Sequence, residues 1–231
     1  MRLTDLLGRR LRDVLGVSER RQRQLTRGMQ LTLVGLLFIG LDRGNTGIIV
    51  NTAVALGVSE LPAVLERDYE IPMDAGLTLW ITTAVFLHAL GTVGLPGSET
   101  SFYRGTFWWD HMTHALSSSV IAGVGYATVR AIDRHSEAIH LPPRFTFVFV
   151  LMFVLAFGVF WEVVEFAIGL AAAEFGSAQV LTQYGLSDTM WDLVYNTIGG
   201  VVVAAWGTAY LTDVAGAIQR KLEGNRAGGK S

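Results

Sequence analysis

Polar residues interrupt several apolar stretches of this chain, and most of them are carboxylates or imidazoles. A charged side chain near the centre of a bilayer costs about 2.5 to 3.5 kcal/mol on insertion scales, so such residues are rare without a partner or a function. These residues are therefore the candidate functional site. They are His88, Asp110, His111, His114, Glu162, Glu165, Asp188, Asp192 and Asn196.

The spacing of these residues places them on shared faces of predicted helices. An α-helix has 3.6 residues per turn, so side chains three or four positions apart lie on the same side. Three of the predicted helices therefore each present one polar face. The sets are Asp110 with His114, with His111 beside them; Glu162 with Glu165; and Asp188 with Asp192 and Asn196.

The residue types indicate a divalent metal ion. The chain has no cysteine, so a metal must bind oxygen or imidazole nitrogen, which suits zinc, manganese, magnesium or iron without choosing among them. Arg43 and Arg104 are the arginines expected on the same side, and two cations cannot balance the carboxylates of the set. We expect His88 and Asn196 to support the ligands. The expected ligands are Asp110, His111, His114, Glu162, Glu165, Asp188 and Asp192.

A metal ion in this position would suit hydrolysis or a phosphoryl or prenyl transfer on a lipid or lipid-linked phosphate, because it can polarise a phosphate or activate water. Asp188 and Asp192 also have the spacing of carboxylate pairs that hold magnesium and diphosphate. The sequence has no glycine-rich phosphate loop, GxSxG elbow or HExxH motif. An enzyme of this kind is one hypothesis, and no catalytic residue is assigned.

Two other classes of function remain open. The carboxylates and imidazoles could pair with one another as buried contacts in a structural or interaction protein, or they could form a path for protons or cations. A path across the membrane needs polar residues in both halves of the helices. An enzyme in one leaflet needs them in one half, and the predicted positions fall in one half.

Composition and apolar segments define the fold class. Hydrophobic residues make up 51% of the 231 residues, charged residues only 16%, and the mean hydropathy is +0.40; roughly a quarter of an ordinary soluble domain is charged. We predict an all-α, polytopic membrane helix bundle of about six transmembrane helices embedded in the lipid bilayer. A net charge of −2 gives no general attraction to nucleic acid, so we expect no nucleic-acid partner. The sequence does not define the oligomeric state. The apolar segments are residues 29–41, 46–65, 75–94, 108–129, 145–170 and 189–211.

The basic residues predict the domain organisation and the orientation. Residues 1–27 form a basic amphipathic segment with the pattern of an interfacial helix, residues 28–213 the transmembrane domain, and residues 214–231 a basic tail. Arginines and lysines concentrate in both terminal segments and in the connection that contains Arg130, Arg134 and Arg144. Cytoplasmic loops are rich in such residues, so we expect a multi-pass protein of the cell membrane with both termini in the cytoplasm. The polar residues then lie in the non-cytoplasmic leaflet.

Three runs of sequence resemble the YjdF-like family of inner-membrane proteins, which has no assigned biochemical function. They are FWWDHMTHALSSSVIAG, FWEVVEFAIG and SDTMWDLVYNTIGGVVVA. The order Asp-x-x-x-His, a Glu motif and Asp-x-x-x-Asn-x-x-Gly is more distantly similar to VanZ-like membrane proteins, although Glu165 lacks the glutamine that those proteins tend to place three residues later. The resemblance implies a membrane helix bundle and recurring polar positions, but no reaction.

The predicted topology is tested with reporter fusions. A reporter at either terminus should report the cytoplasm, and one inserted between Pro96 and Thr106 should report the outside, because six crossings return the chain to its starting side. Termini on opposite sides would contradict the prediction.

Overall fold

The computed structural model describes residues 17–94, 100–135, 140–175, 180–181, 185–206 and 211–228. Within these residues the chain forms helices and no strands, as predicted. The helices are α1 (Glu19–Asp42), α2 (Thr46–Tyr69), α3 (Ala75–Gly91), α4 (Phe102–Gly105), α5 (Trp109–His135), α6 (Pro143–Phe175), α7 (Leu186–Trp206) and α8 (Thr212–Gly228).

Within the described part of the chain, four helices are long and apolar enough to cross a membrane, namely α1, α2, α5 and α6. Helix α3 is apolar but has 17 residues, and α7 has 21 residues that include Asp188, Asp192 and Asn196. The prediction of an all-helical membrane bundle is confirmed. The number of crossings stays a prediction, because α3 is short and α7 is polar in its first half.

Two helices, α1 and α8, extend across the domain limits that were proposed from the sequence. The first apolar segment, residues 29–41, is part of the longer helix α1, which begins at Glu19 and supplies a full membrane-spanning length. The limits proposed at residues 27/28 and 213/214 both fall inside helices. The tail residues 212–228 form α8, and Ala215 and Ala217 are buried in the contact of α8 with α5. Residues 1–16 of the expected interfacial helix lie outside the described residues.

Side-chain caps set the beginnings of two helices at the positions where the apolar segments were expected to start. The backbone N–H of Ile48 donates to Asn45 Oδ1 at 3.0 Å, and that of Leu77 donates to Asp74 Oδ1 at 2.8 Å. Each cap satisfies a backbone donor that has no partner within its helix. Helix α2 therefore begins at the end of the bundle that contains the candidate site. Helix α3 begins at the other end, since consecutive helices run in opposite directions.

Two apolar cores hold the bundle together. One lies among α1, α2 and α3 and includes Leu33, Leu36 and Ile48. The other lies among α3, α5, α6 and α7 and contains Leu77, Ala122, Tyr126, Val150, Val154, Val203 and, just before α8, Leu211. Helix α6 also exposes large apolar side chains at three- and four-residue spacing, including Phe160, Val163, Phe166 and Leu170. In a bilayer this face of α6 contacts lipid.

Helices α5 and α7 make the most extensive helix contact in the structure. Gly199 of α7 lies against the backbone carbonyl of Ala115 and the hydroxyl of Ser118, with no space for a Cβ atom. Small residues permit this close approach of two membrane helices. The polar faces of α5 and α7 lie one to two helical turns from this contact, so the close approach also sets the distance between them.

We predict that Gly199→Ala destabilises the protein, because the added methyl group would force the backbones of α5 and α7 apart. Overpacking of this kind costs about 1 to 3 kcal/mol, and thermal or denaturant unfolding in detergent measures it. Gly57→Ala is the matched control, since Gly57 is also helical and a Cβ there meets nothing within 4 Å. Equal stability of the two variants would contradict the prediction.

Candidate functional site

Asp110, His114 and Asp192 form the tightest group of candidate ligands. Asp110 and His114 are one turn apart on α5, and Asp192 reaches them from α7. His114 Nε2 lies 3.5 Å from Asp110 Oδ1 and 3.6 Å from Asp192 Oδ1, and one ligand atom from each residue falls within 4.8 Å of the others. Two ligand atoms of one tetrahedral ion at bond lengths near 2.1 Å lie about 3.4 Å apart. The two distances from His114 Nε2 are close to this value, and the third separation in the group is at most 4.8 Å.

Asp192 is the most buried carboxylate of the set, with 1% of its side chain exposed. Its Oδ1 atom faces His114 and also His111, whose Nδ1 is 4.0 Å away, and it has no hydrogen-bond partner among the described residues. The His111 ring is held in place by stacking on Tyr195 at a centroid distance of 4.5 Å and an angle of 4°. A buried oxygen without a partner is costly, so a cation next to this atom would be stabilising.

Asn196 lies one turn beyond Asp192, and its side chain interacts with His114. Gly158 of α6 makes room for the Asn196 amide, since a Cβ at that position would approach its Nδ2 to 2.7 Å. Metal-binding imidazoles are usually held by a second hydrogen bond, and the orienting role of Asn196 stays a prediction.

The two glutamates are not members of the tight group. Glu162 is buried and its Oε2 accepts a 2.8 Å hydrogen bond from the Thr189 hydroxyl of α7. Glu165 is also buried, and its Oε1 accepts a 2.9 Å hydrogen bond from the Trp161 indole. Asp188 interacts electrostatically with the cluster but is not part of the tight group. The structure thus separates the expected ligand set into a central group and flanking carboxylates.

His88 of α3 lies apart from the central group, in a hydrogen-bonded chain. Its Nε2 is 3.2 Å from Asn51 Oδ1, and its Nδ1 is 2.8 Å from the Tyr103 hydroxyl. The Asn51 amide nitrogen donates to the backbone carbonyls of Gly47 and Val180, each at 2.8 Å, so its oxygen must face His88 as an acceptor. His88 therefore donates from Nε2, and its Nδ1 accepts the Tyr103 hydroxyl proton.

A cavity of about 310 Å³ connects His88 with the central group. Carboxylates and imidazoles form part of its wall. Two arginines, one from the α1–α2 turn and one from α4, form another part. Asp192 does not line this cavity and lies behind Asp110 and His114. The lining includes Arg43, Asn45, Asn51, His88, Ser101, Tyr103, Arg104, Asp110, His114 and Glu165.

Several residues around the site did not emerge from the sequence patterns. Asn51 was detectable in principle, because an amide inside an apolar segment is unusual. Tyr103 lies on the short helix α4, which has no periodic pattern to reveal it. The contact of Tyr195 with His111 depends on the rotation of α7 against α5, which spacing within one helix does not define.

The family model described as "Predicted membrane protein (DUF2238)" matches residues 25–213 of the chain. The chain belongs to this family. The match spans α1 to α7 and includes every candidate site residue. DUF2238 is the YjdF family, so the YjdF-like resemblance is confirmed at the level of the family. The more distant VanZ-like resemblance stays a prediction.

A protein of Thermotoga maritima described as "Uncharacterized protein" is 28% identical to the chain over 143 residues, which are 62% of this chain and 67% of the relative. No solved structure matches. The DUF2238 family thus supports a membrane protein, and the argument for the chemistry of the site depends on its geometry.

The hydrogen bonds of Asn51 predict the tautomer of His88. Nitrogen-15 NMR of histidine-labelled protein should show the proton on Nε2 and none on Nδ1, and Asn51→Leu should destabilise the fold by about 1 to 3 kcal/mol because it leaves a buried donor unpaired. Exposed His140 serves as the reference for a freely exchanging imidazole. A proton on Nδ1 of His88 would contradict the assignment.

Proposed function

We propose that the protein is a membrane metalloprotein that binds one divalent cation through Asp110, His114 and Asp192. The ion would lie in the non-cytoplasmic leaflet of the cell membrane and act on a lipid or lipid-linked phosphate. His111 stands close enough to Asp192 to join the ligand set after a small side-chain movement. Oxygen and imidazole ligands suit zinc, manganese, magnesium or iron.

The observation that supports this proposal most directly is the environment of Asp192 Oδ1. This buried atom lies between two imidazoles at distances too long for hydrogen bonds, with no partner among the described residues. Within the same residues, no arginine or lysine forms an ion pair with Asp110, Glu165 or Asp192. A divalent cation would give Asp192 Oδ1 a binding partner and would balance the excess negative charge of the carboxylates.

The other half of the bundle favours chemistry at one leaflet over transport. Beyond Ser118 and Ser119, the cluster of Ala122, Tyr126 and Val150 begins, and it continues with apolar residues of α7. A proton or cation path would have to cross this apolar cluster. The site instead opens into the cavity beside Glu165, at one end of the helices.

A cation at this position supports hydrolysis of a phosphate ester. The ion would polarise a phosphate oxygen and lower the pKa of a bound water. Water would add to phosphorus and the bond between phosphorus and the ester oxygen would break. The departing oxygen would take up a proton, and the Glu165 carboxylate on the cavity wall is placed to accept the proton of the water.

Metal analysis of purified full-length protein tests the proposal. After dialysis against Mn²⁺ or Zn²⁺, the wild type should retain about one ion per chain, and Asp192→Asn or His114→Gln should weaken binding more than about tenfold. Asp213→Asn and His140→Gln are the matched controls, because both side chains are exposed at the opposite end of the bundle.

Thermal unfolding separates a metal site from buried pairing. The ion should raise the unfolding temperature of the wild type and the controls but not of Asp192→Asn, since only a bound ligand stabilises the folded state. If no ion binds, or if Asp192→Asn lowers stability equally with and without metal, the metal site is wrong and structural pairing explains the cluster.

A further inference from the structure

The wall of the cavity beside the cation site includes two arginines that form no ion pair with a carboxylate among the described residues. Arg43 lies in the turn between α1 and α2, and Arg104 lies on α4. Within the described residues neither guanidinium group forms an ion pair or a side-chain hydrogen bond, although both line the cavity that Asp110 and His114 also line. Guanidinium groups free to donate toward a shared space are typical of a site for a planar or tetrahedral oxyanion.

Both arginines stand on backbone segments that are held in place. The α1–α2 turn is fixed by Gly44, with a φ of +59°, and by the 2.9 Å hydrogen bond from Asn45 N–H to the Gly40 carbonyl. Helix α4 is held by stacking of Phe102 on Trp109 at a centroid distance of 4.6 Å. The backbone at both arginines therefore needs little reorganisation when their exposed side chains bind an anion.

Tyr103 fixes α4 from its other side through its hydrogen bond to His88. Gly91 permits this contact, because a Cβ atom there would overlap the Tyr103 ring and approach Trp109 Nε1 to 2.7 Å. The position of Arg104 relative to the cation site is thus set by the α3–α4–α5 contacts.

We infer that this cavity binds a terminal phosphate group, bridged between the divalent cation and the guanidinium groups of Arg43 and Arg104. The inference rests on the proposed metal site, because the carboxylates of Asp110 and Glu165 would repel an anion in the absence of a cation. A volume of about 310 Å³ is at the lower end of the range for small-molecule sites. It suits a phosphate and the first atoms attached to it, with any acyl or prenyl chain outside.

The number of binding groups favours a phosphate monoester or diphosphate over a diester. A terminal phosphate has three free oxygens, one for the cation and one for each guanidinium group. A phosphodiester, such as the headgroup linkage of most membrane lipids, has two. The arginines would therefore select a lipid or a soluble molecule that ends in phosphate.

Binding of cation and phosphate should be reciprocal, since each raises the affinity of the other by the same factor. Phosphorus-31 relaxation of inorganic phosphate with Mn²⁺ and the full-length protein tests this, because Mn²⁺ broadens the signal of a phosphate bound next to it. We expect broadening that requires both the protein and Mn²⁺. Arg43→Gln and Arg104→Gln should each lower the phosphate affinity about tenfold and leave Mn²⁺ binding in the absence of phosphate unchanged. Arg144→Gln, exposed at the start of α6, is the control.

The source of the phosphate is distinguished in nanodiscs of phosphatidylcholine with added phosphatidic acid, a monoester, or phosphatidylglycerol, an anionic diester. Displacement of inorganic phosphate by phosphatidic acid but not phosphatidylglycerol supports a lipid with a terminal phosphate. Displacement by neither supports a soluble phosphate. Equal displacement by both overturns the selectivity for a terminal phosphate.

The two proposals fail separately. Mn²⁺ binding without broadening of the phosphate signal, or broadening that survives both arginine substitutions, overturns the phosphate site and leaves the metal site intact. Equal phosphate affinity with and without Mn²⁺ also overturns it, because the cation would then take no part. Absence of Mn²⁺ binding overturns the metal site and the phosphate site together.

Discussion

The close contact between α5 and α7 determines the geometry of the site. Gly199 lies against Ala115 and Ser118, where a Cβ atom would overlap backbone. Because the helices approach this closely, Asp192 on α7 comes within 3.6 Å of His114 on α5. Neither helix could place these groups together alone. The candidate ligands are thus positioned by packing of small residues, and the apolar core below stabilises that packing.

The sequence predicted the helical class and the polar faces well, because both follow from local spacing. Asp110 and His114 share a face through the period of one helix. Contacts between helices could not be predicted from the spacing of residues within one helix. The hydrogen bonds of Glu162 with Thr189 and of Glu165 with Trp161 were not predicted, since they depend on the rotation of each helix about its axis, and the role of the two glutamates as ligands stays a prediction.

The ends of elements were harder to predict than their existence. Helix α1 continues through basic residues before residue 29 because an exposed helix tolerates arginine well, so a change of composition did not mark its start. Helix α4 was absent from the prediction because four residues give no period. Its residues Tyr103 and Arg104 nevertheless complete the cavity, so part of the candidate site lay in a segment that only tertiary contacts define.

The cavity combines residues from two parts of the bundle. The turn before α2, together with α2, α3 and α4, supplies the arginines and the Asn51–His88–Tyr103 chain, whereas α5 supplies Asp110 and His114 and α6 supplies Glu165. Opposite charges thus face one another across a space instead of forming direct pairs. Direct pairing would have been the simpler way to compensate buried charge. The separation leaves room for ligands that interact with both walls, a cation at the carboxylates and an anion at the arginines, and neither would be bound as well without the other.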